Sequence, residues 1–273
     1  MHVLVPLDGN APAEAALEYA LAAFPDAAVT AVCVVGVVDS AAAADQLPED
    51  RRAEYDRAVA DAEAVLDDAA ARADGRQLTT EVIYGPPSEA IPDYAADVNA
   101  DRIVMGEHGQ AGASDILLGS VAENVVRNAP VPVTVVRGAD AAGVEQQILV
   151  GVDGSPLSTA ALREAVTAHD PDRVRVLTVV ESDGDGPDDN AAAERLLETT
   201  IGAVDTEAAD IETVVRDGDP ADALVDAAAT ADHVVVGSHG RTGIDRLTLG
   251  SVAEAVVRNA PVTVTVVHER QVD

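Results

Sequence analysis

Lysine is absent: all 17 basic side chains of the 273-residue chain are arginine. That excludes a Schiff-base lysine, a lysine general base and a phosphate-loop lysine. Tryptophan is also missing, and one phenylalanine and four tyrosines are the only aromatics, so a core must be built mostly from alanine and valine. The single cysteine, Cys33, permits no intrachain disulfide and no cysteine zinc cage. Basic charge is scarce overall. Forty-nine acidic residues leave a net charge of −32, which repels polyphosphate backbones and argues against nucleic-acid binding. No apolar run approaches the length of a membrane span, and the opening "MHVLVPLDGN" enters a strand–turn pattern without a basic n-region. The expectation is a cytoplasmic chain with no membrane partner.

What is present is a globular composition. Hydrophobic residues make up 48% of the chain, so the acidity does not mark a disordered tail. An acid excess without lysine reads as a halophilic habitat, where multimolar salt screens self-repulsion over about 3 Å. The length suits two domains of roughly 130 residues.

Internal repetition supports that division. "LVPLDGN" from Leu4 recurs as "LVGVDGS" from Leu149, and "IVMGEHGQAGASDILLGSVAENVVRNAPV" from Ile103 recurs as "VVVGSHGRTGIDRLTLGSVAEAVVRNAPV" from Val234. The first copy carries a surplus after its second strand, in the alanine- and charge-rich stretch between Asp39 and Asp56. A small, polar linker from Gly138 to Gln146 separates the copies, giving domains at 1–138 and 146–273. Strands are expected in copy one at His2–Leu7, Ala28–Val35, Leu78–Tyr84, Arg102–Met105 and Pro132–Val136. Helices are expected near Ala11–Ala23, Pro48–Ala73, Pro87–Asn99 and Ser120–Asn128. Copy two should place strands at Gln147–Val152, Arg173–Val180, Asp210–Arg216, His233–Val236 and Val262–His268. Most of these runs are continuously apolar, as in strands covered on both faces of a parallel α/β sheet, and their alternation with helices gives a doubly wound fold.

The main chemical signal follows the fourth strand. Gly106 and Gly109 are followed nine residues on by Gly119-Ser120; Gly237 and Gly240 are followed at the same spacing by Gly250-Ser251. Glycines at a strand end let backbone N–H groups approach an anion, and a helix opening at Gly-Ser adds N–H groups and the positive dipole end. Such a cradle needs no lysine. Ser120-x-x-Glu123 and Ser251-x-x-Glu254 also read as capping boxes, in which the serine serves the helix alone. The first strand of each copy ends in Asp8-Gly9 or Asp153-Gly154. That aspartate can meet a ribose hydroxyl, hold a divalent cation against phosphates, or bond its own turn.

These motifs resemble the universal stress protein family, over nearly the whole chain as two tandem domains. The resemblance implies a Rossmann-like fold, shared with adenine nucleotide alpha hydrolases, of five strands in the order 3-2-1-4-5 in each copy. It implies ATP, ADP or AMP as ligand, with magnesium or manganese through the nucleotide. Residue by residue, it places Gly106, Gly109, Gly119, Ser120 and Val121 at phosphates and ribose in copy one, and Gly237, Gly240, Gly250, Ser251 and Val252 in copy two. Asp8 and Asp153 match the ribose- or cation-side aspartate, and Val34 and Val179 the valine whose backbone meets adenine. Copy one departs from the pattern: Glu107 stands where serine or threonine is usual, and Gln110 where a basic residue is usual. Copy two keeps Ser238 and Arg241, so the second site is expected to bind ATP more tightly.

His108 and His239 lie within the glycine turn but show no catalytic partners in the sequence. The expected role is therefore non-enzymatic stress regulation through a bound nucleotide and an unidentified protein partner. A weak ATPase or phosphoryl-transfer enzyme and a nucleotide-free scaffold are the alternatives. The repeat further suggests a pseudo-dimer of the two domains within the chain and leaves room for a homodimer.

Overall fold

In the computed structural model, residues 1–36, 38, 41–44, 47–107, 118–138, 147–169, 171–180, 187–206, 209–240 and 249–269 are described. The chain divides into two units, Met1–Ala142 and Gly143–Asp273. The first runs β1 (His2–Leu7), α1 (Ala11–Ala23), β2 (Ala28–Val35), α2 (Ala41–Ala44), α3 (Glu49–Arg72), β3 (Leu78–Tyr84), α4 (Pro87–Asp97), β4 (Arg102–Gly106), α5 (Ser120–Asn128) and β5 (Val133–Val136). Its strands are all parallel, in the order β3-β2-β1-β4-β5. The second unit runs β6 (Gln147–Gly151), α6 (Pro156–His169), β7 (Arg173–Val180), α7 (Pro187–Gly202), β8 (Asp210–Asp217), α8 (Pro220–Ala228), β9 (His233–Gly237), α9 (Ser251–Asn259) and β10 (Thr263–Val267). It repeats the same parallel order, β8-β7-β6-β9-β10.

Each element follows from its local chemistry. Beyond their first residues, His2 and Arg102, β1 and β4 are apolar, and both are almost wholly buried, as in a sheet covered on both faces. At the end of each unit's order the rule fails. Thr79, Thr80 and Glu81 of β3 and most of β8 are exposed, so these strands are polar where continuous apolar runs were expected. Asn10 caps α1 by accepting the Ala13 N–H at 2.8 Å, and Ser155 caps α6 by accepting the Ser158 N–H at 3.1 Å. The surplus of the first copy forms the short α2 and lengthens α3 to 24 residues, against 16 in α7. α4 stops at Asp97 rather than Asn99, because Asn99 adopts the left-handed conformation at φ 50°.

In both units the strand order reverses between the first and fourth strands, the place at the C-terminal strand ends where sheets of this kind bind ligands. The register Leu4↔Ile103, carried on, sets Leu7 level with Gly106. Val150↔Val235 likewise sets Val152 level with Gly237.

Candidate functional site

The crevice of the first unit is a cavity of about 410 Å³. Asp8 enters it from the end of β1, Val34 from β2, Gly106 from β4 and Val121 from the first turn of α5. Four separately predicted residues thus line one cavity. Apolar residues of α3 and α4 line it too, including Ala58, Ala62 and Val65 of α3. Their spacing along an otherwise charged helix is one apolar stripe, a signal in the sequence that the motif search did not use.

Asp8 is held by its own turn. One carboxylate oxygen accepts the Asn10 N–H at 3.2 Å and the other the Asn10 side-chain amide at 3.1 Å. Gly9 follows at φ 78°, a conformation glycine adopts without strain. The second unit repeats the device: Asp153 accepts the Ser155 N–H at 2.9 Å, and Gly154 lies at φ 81°. The other oxygen of Asp153 lies against Gly240, where a Cβ would collide with it. The structure therefore brings together two motifs that stand 87 residues apart in the sequence.

The motif glycines do different work from one another. A Cβ on Gly106 would stand 2.6 Å from the Pro12 backbone, and one on Gly237 2.9 Å from the Leu157 Cβ. Both glycines are demanded by the helix that follows the first strand, before any ligand is considered. Gly119 and Gly250 are the N-caps of α5 and α9, at ordinary negative φ. Their N–H groups close the preceding loop on the Glu107 and Ser238 carbonyls, at 2.8 and 2.7 Å. Ser120 and Ser251 consequently occupy the first helical position, and no side-chain capping bond forms. The expected capping boxes are one residue out of register: Glu123 instead pairs with Arg127 at 3.3 Å and Glu254 with Arg258 at 3.1 Å. Exposed Ser120 and Ser251 hydroxyls, and the N–H groups of 120–122 and 251–253 ahead of the first intrahelical bond, remain at the helix starts.

Glu107 does not enter the crevice as a bare carboxylate. It receives the Arg137 Nε–H at 3.0 Å, and the Arg137 side chain is only 7% exposed. Burial lowers the Arg137 pKa, while Glu107 opposes that shift. Arg137, at the end of β5, was not singled out from the sequence, because its partner lies 30 residues away. The Cys33 thiol also lines the cavity. Burial, reinforced by the nearby Asp8 charge, pushes its pKa up against a backbone hydrogen bond from Val34. In the second unit Ser238 Oγ lies 3.2 Å from His239 Nδ1, but Ser238 is 5% exposed and its N–H donates to the Val267 carbonyl.

Val179 is half-buried at the matching end of β7, and Val252 half-buried in the first turn of α9. Gly109, His108, Gln110 and Arg241 lie outside the described residues. Among the described residues no group of three or more His, Cys, Asp or Glu could hold a metal ion, and no helix is long and apolar enough to cross a membrane.

Comparison with known proteins points one way. The model of the universal stress protein family matches residues 1–137 and again 145–268. A universal stress protein of Mycolicibacterium smegmatis is 29% identical over 288 residues, covering 98% of this chain and 97% of that one. One from Mycobacterium tuberculosis H37Rv is 32% identical over 209 residues, covering 70% of this chain and 69% of its own. Among solved structures, a universal stress protein from Archaeoglobus fulgidus superposes with a TM-score of 0.74 at 25% identity, over 98% of each chain. With the family pattern matched twice, on a fold of that architecture, this chain belongs to the universal stress protein family as a tandem, two-domain member.

Proposed function

We propose that each half of this protein binds an adenine nucleotide and that the bound form acts on a protein partner, as a stress regulator rather than a catalyst. The observation that carries this reading is the 410 Å³ cavity at the switch point of the first unit, which gathers Asp8, Val34, Gly106 and Val121. Its apolar wall suits a base, and the half-buried Val34 offers backbone groups at its edge. Asp8 and, in the second half, Asp153 keep acceptor capacity for ribose hydroxyls or for a divalent cation that accompanies phosphate. The first turns of α5 and α9, opening at Ser120-Val121 and Ser251-Val252, present N–H groups and the positive dipole end to phosphate. Gly109 and Gly240 are the second glycines of the repeated motif. Magnesium or manganese, when bound with the nucleotide, would supply charge neutralisation at the aspartates.

A non-catalytic role fits the side chains. Ser238 is buried, and the chain holds no lysine to stabilise a transferring phosphoryl group. The test is to purify the protein in multimolar salt without added nucleotide, denature it and chromatograph the supernatant. About one or two equivalents of adenine nucleotide per chain are expected, falling in Gly119→Val and Gly250→Val variants. No nucleotide, and no thermal shift with magnesium–ATP, would leave a scaffold whose glycines serve packing alone.

A further inference from the structure

The two halves differ in the basic residues their sequences bring to the glycine motif. In the first unit the charged side chains lining the cavity are Asp8 and Asp61, the latter exposed on α3; no cation lines it among the described residues. The glycine turn of the first unit, His108–Leu117, contains no arginine in its sequence, nor does the 37–46 stretch after β2. No lysine exists to take their place. Arg137 is buried against Glu107, and Arg127 pairs with Glu123. The equivalent segment of the second unit's sequence contains Arg241 and Arg246, with Asp245 between them.

A triphosphate brings about four negative charges to such a site, and a helix N-terminus offers the equivalent of about half a positive charge. The shortfall is small for a nucleoside or its monophosphate and large for a triphosphate. We propose, building on the adenine reading above, that the first half is a low-charge site that takes an adenine nucleoside or nucleoside monophosphate, leaving polyphosphates to the second half. A divalent cation bound with the phosphates relaxes that selection, because it offsets their repulsion from Asp8 and Asp61.

Cys33 makes the first half separately observable, since the chain's one thiol lies in that cavity wall. The experiment measures protection of Cys33 in the full chain from iodoacetamide by adenosine, AMP, ATP with chelator, and ATP with magnesium. It is run at the lowest salt that keeps the protein folded, because screening shrinks the effect. Adenosine or AMP should half-protect at a concentration at least about tenfold below that of metal-free ATP, a ratio of about 1.4 kcal/mol. Magnesium should narrow the gap, and Asp61→Asn should narrow it about twofold without magnesium. Metal-free ATP protecting as well as adenosine and AMP overturns the charge selection while leaving adenine binding intact. Alkylation of Cys33 in the free chain that none of the four ligands slows overturns the adenine reading of this half, and the selection with it.

Discussion

Around an equivalent threonine of the last strand, the two units hold different chemistry at the N-terminal end of the sheet. In the first, the guanidinium carbon of Arg102 sits 4.4 Å from the Phe24 ring centroid and Nη1 reaches Thr134 Oγ1 at 3.5 Å. In the second, His169 and His233 meet edge to face at 4.7 Å, and His233 Nε2 lies 2.9 Å from Thr265 Oγ1. Arg102 is 2% exposed and His233 0%. A second exchange lies at the other end of the same strands. Glu107 and Arg137 form a buried ion pair in the first unit, where the second has Ser238 and His268. What recurs is geometry: a flat group against the C-terminal end of the first helix, and a polar head within reach of a threonine on the last strand. What varies is charge. The first unit buries two arginine side chains, one against Phe24 and Thr134 and the other against Glu107; the second has His233 and His268 at those places. Buried cations require compensation.

The largest effect should come from the close contacts beneath the site. Gly106→Ala puts a methyl group into the Pro12 backbone, which cannot rotate aside, and should cost about 3 kcal/mol. Gly237→Ala meets Leu157 at slightly greater distances and should cost about 1–2 kcal/mol. Equal losses in thermal unfolding would show that the two helix–strand contacts are interchangeable.

Next comes the ion pair. Glu107→Ala removes the carboxylate facing buried Arg137 and should destabilise by about 2 kcal/mol, less than for a fully buried pair because Glu107 is 25% exposed. The double change Glu107→Ser with Arg137→His copies the second unit and should cost less than the single one. A double variant worse than Glu107→Ala in denaturant unfolding would show that the pair does more than neutralise Arg137.

A smaller difference is expected at the ring positions. Phe24→Leu loses the cation–π contact and should cost about 1 kcal/mol beyond its lost area. His169→Leu keeps apolar contact with a ring and should cost less. The order of the two in calorimetry tests whether the buried arginine depends on its aromatic partner.

The smallest effect concerns alkaline pH and the first unit alone. Tyr84 is pushed up to about 12, chiefly by its hydrogen bond with Tyr55, and Tyr94 to about 12 by burial and its 2.8 Å bond to Glu81. Both hold their protons more tightly folded than unfolded. Their contribution is therefore whole below pH 10 and declines as pH rises from 10 through about 12. Ultraviolet titration should show two phenolates appearing late, and Glu81→Gln should bring Tyr94 forward. An unchanged curve in that variant would assign the shift to burial alone.

Much was legible before any coordinates. Two copies, parallel strands with intervening helices, and Asp-Gly turns at Asp8 and Asp153 all rest on local signals: β-branched runs, helix caps and a glycine that must adopt positive φ. The repeated glycine spacing was equally visible, because it lies within one short stretch of sequence. Tertiary structure decided what those glycines do. It placed Gly106 and Gly237 under a helix backbone, made Gly119 and Gly250 the caps in place of the serines, and set Asp153 against Gly240. It also supplied Arg137 to Glu107 and turned α3, with Asp61, toward the cavity. Periodicity and propensity act over a few residues. Contacts between chain segments tens of residues apart depend on how strands are ordered and how closely helices approach them, and that is where the charge of this site is set.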